Sequence, residues 1–225
     1  EKLFRVSTYP ATYRAHSRNP LWRYQPRYAV KPTPALRNGF ITFGSCNNLG
    51  KLTDEVLKLW GQLLQQIPSA RLLIEGKGFE RIDFEAEYRE RCQKLGIDTE
   101  RLTLIPLDTN KQYLAYHDID IALDPFPLTG GTTTLDILWM AVPLVSMEGH
   151  SSPTRMSTDA LTHLGRSEWL AKSKEEYLFI AKSFAADVTQ LNALRLSLRD
   201  EVEQSPLMRD DIACPHFSAA LRTMW

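Results

Sequence analysis

Residues 119–147 decide the architecture. Ile119-Asp120-Ile121-Ala122-Leu123 is a short apolar run. Asp124-Pro125-Phe126-Pro127-Leu128-Thr129-Gly130-Gly131 interrupts it, and Thr132-Thr133-Thr134-Leu135-Asp136-Ile137-Leu138-Trp139-Met140-Ala141 follows as an almost wholly apolar helical stretch. Pro143-Leu144-Val145-Ser146-Met147 is a second apolar run. The order is strand, glycine loop, buried helix, strand. Continuous apolar strands joined by a helical crossover require a parallel sheet covered on both faces.

The same alternation extends toward the N-terminus. Phe40-Ile41-Thr42-Phe43-Gly44 reads as a strand, followed by a helix that Thr53 caps, with Leu52 and Leu57 as a hydrophobic staple. Val56, Leu57, Trp60, Leu63, Leu64 and Ile67 fall at helical spacing before Pro68. Arg71–Glu75 and Leu102–Pro106 read as further strands, a charged helix spans about 82–95 up to Gly96, and a short helix is expected near 110–117. After Met147 the pattern is helical alone. One helix starts at Ser152-Pro153 and stops at Gly165, Ser173 and Glu176 form a capping box, Asp187 and Gln190 a looser one, and a last helix carries Phe217, Leu221 and Met224. The expected fold is α/β: a doubly wound parallel sheet with helices on both faces.

Composition agrees. The chain has 225 residues, 43% hydrophobic and 24% charged, which excludes a disordered chain, a fibrous repeat and a disulfide scaffold. No apolar run approaches the ~20 residues of a bilayer span. Lys+Arg and Asp+Glu both number 27, yet residues 1–39 hold eight basic residues against one acidic. A basic leader on an acidic domain argues against a whole-domain nucleic-acid surface. Cys46, Cys92 and Cys214 are scattered, which fits a reducing, cytoplasmic setting without structural zinc. Residues 1–38, broken by Pro10, Pro20, Pro26, Pro32 and Pro34 and rich in aromatics (Tyr9, Tyr13, Trp22, Tyr24, Tyr28), are expected to end a preceding lobe and to pack as a linker. Residues 39–225 form the sheet domain. The first residue is Glu, and the chain reads as a piece of something longer.

In such folds ligands bind beyond the carboxyl ends of the strands, which selects the loops. Ser45-Cys46-Asn47-Asn48-Leu49-Gly50-Lys51 leads into the first helix and places a lysine beside a positive helix end, a phosphate site or simply a solvated lysine. It is neither Gly-x-Gly-x-x-Gly nor a Walker loop. Gly130 and Gly131 followed by Thr132, Thr133 and Thr134 form an anion cradle: glycines admit the backbone, amides and hydroxyls donate. Asp136 shares a helix face with Thr132 and suits ribose hydroxyls or a structural pairing. Asp124, at the strand end, is a further candidate. Asp118-x-Asp120 lies at the wrong end of its strand for a metal and reads as a surface carboxylate pair. His150 binds a ligand or is solvated. Arg155, in a helix's first turn, calls for an anionic partner, either Glu148 or a ligand.

These residues resemble a known family. Phe43-Gly44-Ser45-Cys46-Asn47-Asn48-Leu49-Gly50-Lys51-Leu52-Thr53, Asp120–Pro127, Gly130–Thr134, Leu138–Pro143, Ser205-Pro206-Leu207 and Met224-Trp225 are similar to the C-terminal catalytic half of the O-linked N-acetylglucosamine transferases, a pattern shared by Spindly-type enzymes and bacterial relatives. The resemblance implies the nucleotide-binding lobe of a two-lobed, GT-B-type glycosyltransferase. It implies that Lys51 contacts the diphosphate, that Asn48, Leu107, Gly130, Gly131, Thr132 and Thr133 line the nucleotide site, and that Asp136 binds ribose. It also implies that no metal is required and that the catalytic histidine belongs to the preceding lobe, so that the isolated chain binds a donor without transferring it. The expected partners are a nucleotide sugar, with uridine preferred over guanosine, a protein or peptide acceptor, the preceding lobe and upstream helical repeats. Gly131 stands where the animal enzymes have histidine, and Thr109 and Gln112 stand near their uracil-side lysine and histidine. Two other readings are a non-catalytic nucleotide-binding or regulatory module and a nucleotide-sugar epimerase, for which Glu148 and His150 are the acid/base candidates.

Overall fold

The computed structural model describes Tyr13 and residues 25–224. The expectations for Tyr9, Pro10, Pro20, Trp22, Tyr24 and Trp225 lie outside the described residues. The strands are β1 (Thr42–Ser45), β2 (Arg71–Gly76), β3 (Leu102–Pro106), β4 (Ile121–Leu123), β5 (Leu144–Met147) and β6 (Leu170–Ala171). The helices are α1 (Ala35–Asn38), α2 (Asp54–Gln66), α3 (Ile82–Lys94), α4 (Thr132–Trp139), α5 (Met156–Leu164), α6 (Lys174–Ala186), α7 (Val188–Gln204) and α8 (Asp210–Met224). All described strands are parallel, in the order β3-β2-β1-β4-β5-β6. The order reverses between β1 and β4, where Phe43 pairs with Ile121.

Local chemistry explains the elements. The Thr53 side chain caps α2 by accepting from Val56 N–H, and Asp54 and Glu55 complement the positive end of its dipole. Val56, Leu57, Trp60, Leu63 and Leu64 then face one side of the sheet with Tyr88 and Cys92 of α3 and Tyr177 and Ile180 of α6. The opposite side carries Ile137, Leu138 and Trp139 of α4, Ala160 and Leu161 of α5, and Leu198 and Val202 of α7. Each fully buried Leu, Ile or Val here contributes roughly 1.5–3 kcal/mol.

Five expectations are corrected. A sixth strand, Leu170–Ala171, extends the sheet where the pattern reads as helical; two residues are too few to show a period. The helix expected near 110–117 is two 3₁₀ turns, Thr109–Lys111 and Leu114–Asp118, broken by Tyr113 in the left-handed region. The helix expected from Ser152 is a 3₁₀ turn, Ser152–Thr154, set by a Ser151–Thr154 capping box, before α5, which ends on left-handed Gly165. Asp118 and Asp120 are not a surface pair. Asp118 is exposed beside Arg37, whereas Asp120 is fully buried and accepts from Thr33 Oγ1, Ala35 N (2.8 Å) and Thr42 N (2.8 Å). Arg155 is paired with Asp159 at 2.8 Å, one turn along its own helix, rather than with Glu148 or a ligand.

Asp120 fastens residues 33–35 to the start of the sheet, and α7 fastens residues 28–31. Arg195, fully buried, donates to the carbonyls of Lys31, Tyr116 and Ile119 at 2.5–3.0 Å. Arg199 donates to those of Tyr28 (2.7 Å) and Trp139 (2.6 Å) and lies over the Trp139 ring. Among the described residues no helix is long and apolar enough to cross a membrane.

Candidate nucleotide site

The loops after β1 and β4 meet at the carboxyl edge of the sheet, where the strand order reverses. Lys51, at the end of a 3₁₀ turn capped by Asn48, reaches across and donates from Nζ to the Thr129 carbonyl at 2.7 Å. The two loops singled out in the sequence are therefore joined by a direct contact.

Asp124 organises the second loop. It is fully buried directly after β4 and accepts from Gly130 N (2.8 Å) through one carboxylate oxygen and from Ser146 Oγ (2.6 Å) through the other. Burial pushes its carboxyl pKa up, opposed by hydrogen bonds from Ser146, Ser157 and Gly130 and by the Lys51 charge. Ser157 ties the loop down from α5: its Oγ meets Thr134 Oγ1 at 2.7 Å and donates to the Gly130 carbonyl at 3.2 Å. Gly130 must lack a side chain, because a Cβ there would run into Thr134 Oγ1 and lie 3.0 Å from Asp124 Oδ1. Gly131 is less confined: a Cβ would meet only Met156 Cε, at 3.4 Å.

Gly131 is the N-cap of α4 and supplies no side-chain cap. Thr134 N–H donates to the Gly131 carbonyl at 3.1 Å, which leaves the Thr132 and Thr133 amides without a capping side chain at the positive end of the helix dipole. Thr132 is exposed and Thr133 half-exposed beside them, with Lys51 fixed across the gap. The arrangement suits a polyanion held between amides, hydroxyls and one ammonium.

Asn48 and Leu107 come together in a neighbouring cavity of about 420 Å³, also lined by Cys46, Asn47, Glu75 and Lys77. Glu75 is almost completely buried at the end of β2; burial raises its pKa, partly offset by a hydrogen bond from the Cys46 thiol. Burial also pushes the Cys46 thiol well above its ordinary value. Neither residue stood out in the sequence, although a glutamate closing an apolar strand is itself a signal. His150 lies apart, exposed in a separate cavity of about 340 Å³ with Phe126, Pro127 and Glu148. Asp136 is half-buried and accepts from the Tyr13 hydroxyl; burial lifts its carboxyl to about 6 against the pull of the Tyr13 and Tyr113 phenols. Among the described residues no group of three or more His, Cys, Asp or Glu side chains is placed to hold a metal ion.

A parallel sheet of order β3-β2-β1-β4-β5-β6 with helices on both faces is the architecture of the C-terminal lobe of GT-B-type glycosyltransferases. A C-terminal domain of a glycosyl transferase group 1 family protein from Francisella tularensis shares this fold, with a TM-score of 0.52 at 16% identity over 84% of this chain and 93% of that one. The particular family follows from sequence. The family model "Glycosyl transferase family 41" matches residues 29–216, and the chain belongs to that family. It is 39% identical over 198 residues, 87% of its length, to the Arabidopsis thaliana protein named "Probable UDP-N-acetylglucosamine–peptide N-acetylglucosaminyltransferase SPINDLY". It covers 22% of that protein, so the chain spans about a fifth of the length of such relatives. A mutant Thermobaculum terrenum O-GlcNAc transferase superposes on the whole chain with a TM-score of 0.81 at 30% identity, the match covering 40% of that enzyme.

Proposed function

We propose that the chain is the donor-binding lobe of an inverting, metal-independent glycosyltransferase. The whole protein would move N-acetylglucosamine or a similar sugar from a nucleoside diphosphate, uridine preferred, to a Ser, Thr or Asn side chain of a protein. One observation carries this reading: Lys51 and the uncapped amino end of α4 are held together across the β1–β4 switch point by the Lys51–Thr129 contact. A diphosphate between them receives hydrogen bonds from the first α4 amides, the Thr132 and Thr133 hydroxyls and the ammonium. As the bond to the sugar breaks, negative charge grows on the departing diphosphate, and donors already fixed in place stabilise that charge without rearranging. Asp136 accepts from the ribose, while Asn48 and Leu107 line the adjoining cavity. The acceptor-activating base lies in the preceding lobe, so this chain alone binds donor without turning it over. The names of the relatives support the reading.

Calorimetric titration of the 225-residue chain with UDP and with GDP, with and without EDTA, tests it. Micromolar binding that is insensitive to EDTA and about 10–100-fold weaker in Lys51→Ala is expected, since a hydrogen bond to a charged group contributes roughly 1.5–3 kcal/mol. Failure of the unaltered chain to bind either nucleotide, or EDTA-sensitive binding that Lys51→Ala leaves unchanged, overturns it.

A further inference from the structure

Among the described residues Asp136 is a carboxylate with no cation paired to it. It is half-buried on α4, and among the described residues no lysine, arginine or histidine forms an ion pair with it. The Tyr13 hydroxyl donates to Oδ1, and Tyr113 is the second phenol that acts on the carboxylate. Both tyrosines are buried, at 6% exposure each.

Neither phenol is there by local necessity. Tyr13 stands 123 residues before Asp136 and outside the span matched by the family model; its backbone N–H donates to the Leu207 carbonyl at 2.7 Å. Tyr113 holds φ of 70°, a conformation that costs a non-glycine residue roughly 1–2 kcal/mol. Its ring packs on Tyr28, Tyr116 and Trp139 with centroids 5.8–6.4 Å apart. Three separate parts of the chain thus converge on one carboxylate.

A phenol has a single proton to donate. The Tyr13 phenol fills one of the roughly four acceptor positions of a carboxylate, and the positions beyond it can serve an incoming group that brings two adjacent hydroxyls. The partners also fix the plane of the carboxylate, so its remaining lone pairs point in defined directions. We propose that Tyr13 is a positioning residue of the donor site, holding Asp136 in the orientation that accepts the vicinal hydroxyls of a ribose. This rests on the reading of Asp136 as the ribose acceptor. It makes Tyr13 part of the nucleotide site, so that seating this one side chain and recognising ribose are one event.

The experiment titrates the 225-residue chain with UDP and with 2′-deoxy-UDP, as the unaltered protein and as Tyr13→Phe. The unaltered chain is expected to prefer UDP by about tenfold, the effect of one hydrogen bond to a charged acceptor. Tyr13→Phe keeps the ring and its packing. It should weaken UDP binding about tenfold and 2′-deoxy-UDP, which keeps only the 3′-hydroxyl, distinctly less, and so shrink the preference. The pH midpoint of UDP affinity should also rise in this variant, because a donor to the ionised carboxylate is lost. The other groups facing the pair are Tyr113 and Tyr116 after β3, Cys46 after β1 and Arg199 on α7, and the variant leaves them all in place. Tyr113→Phe repeats the test from the second phenol should Tyr13→Phe fail to fold. A variant that keeps the full preference, or binds UDP more tightly because the phenol had competed with ribose, overturns the proposal alone. Binding of UDP and 2′-deoxy-UDP with equal affinity by the unaltered chain overturns it together with the ribose role of Asp136, and no binding of UDP at all removes the donor-lobe reading beneath both.

Discussion

Two adjacent glycines should behave in opposite ways. At Gly130 an added methyl collides with Thr134 Oγ1 and sits 3.0 Å from Asp124 Oδ1 and 3.1 Å from the Thr134 amide. None of these can yield cheaply: Thr134 and Asp124 are fully buried, and their oxygens already bond Ser157, Ser146 and Gly130 itself. Overpacking of this kind costs about 1–3 kcal/mol. Displacing Gly130 N–H from the Asp124 carboxylate forfeits a charged hydrogen bond, a further ~1.5–3 kcal/mol. Gly130→Ala should therefore destabilise the domain by about 3–5 kcal/mol, a large share of the roughly 5–15 kcal/mol typical of a domain. Nucleotide affinity should fall at least about tenfold, because the amides that follow move with the loop. At Gly131 the only neighbour within 4 Å of an added Cβ is the flexible end of Met156, at 3.4 Å. Gly131→Ala should therefore cost clearly less than Gly130→Ala, about 1 kcal/mol. Urea unfolding followed by tryptophan fluorescence measures both, with calorimetry for the nucleotide. Gly130→Ala within about 1 kcal/mol of the parent chain, or Gly131→Ala as damaging as its neighbour, would show that the loop is not braced as described.

Asp136 and Arg195 give two further tests. Because burial raises the Asp136 carboxyl from 3.8 to about 6, the folded protein holds a proton that the unfolded chain releases between those values, and stability falls as pH climbs through that window. Asp136→Asn keeps an acceptor for Tyr13 and removes the charge, so at pH 7.5 it should be more stable than the parent by about 2 kcal/mol, with a flatter pH slope in urea unfolding between roughly pH 4 and 6, while losing ribose discrimination. A steeper slope or lower stability at pH 7.5 would contradict this. Arg195→Met strands the carbonyls of Lys31, Tyr116 and Ile119 and leaves buried Asp120 without its nearest cation. A loss of about 3–5 kcal/mol is expected by thermal or urea unfolding, and a change below about 1 kcal/mol would refute the fastening role.

The sheet, its helices and the two loops at the switch point follow from patterns local in sequence: apolar runs, a threonine cap, a glycine pair before an apolar helix. Much of what escaped depends on partners far away along the chain. Asp120 reads as a surface residue because its neighbour Asp118 is one; only Thr33, Ala35 and Thr42 make it an interior one. Arg155 has its anion four residues on, a spacing visible in the sequence once Asp159 is considered. Arg195 was also detectable, since Leu191, Leu198 and Val202 place it on the buried stripe of α7. Ser146, a hydroxyl inside an apolar strand, marks the brace under Asp124 in the same way. The Tyr13 and Tyr113 phenols on Asp136 had no comparable signal: sequence periodicity says nothing about a contact spanning 123 positions.

The reach of Lys51 to the Thr129 carbonyl also bears on how fast a ligand is captured. A free lysine side chain loses up to about 2 kcal/mol of rotamer freedom when it is immobilised. Here the torsions are already restrained by a neutral oxygen, and on the proposed donor-site reading an arriving phosphate would substitute a charged oxygen at the same ammonium. Most of the ordering would then precede the encounter, and capture would be governed by collision and electrostatic attraction more than by rearrangement of the loop.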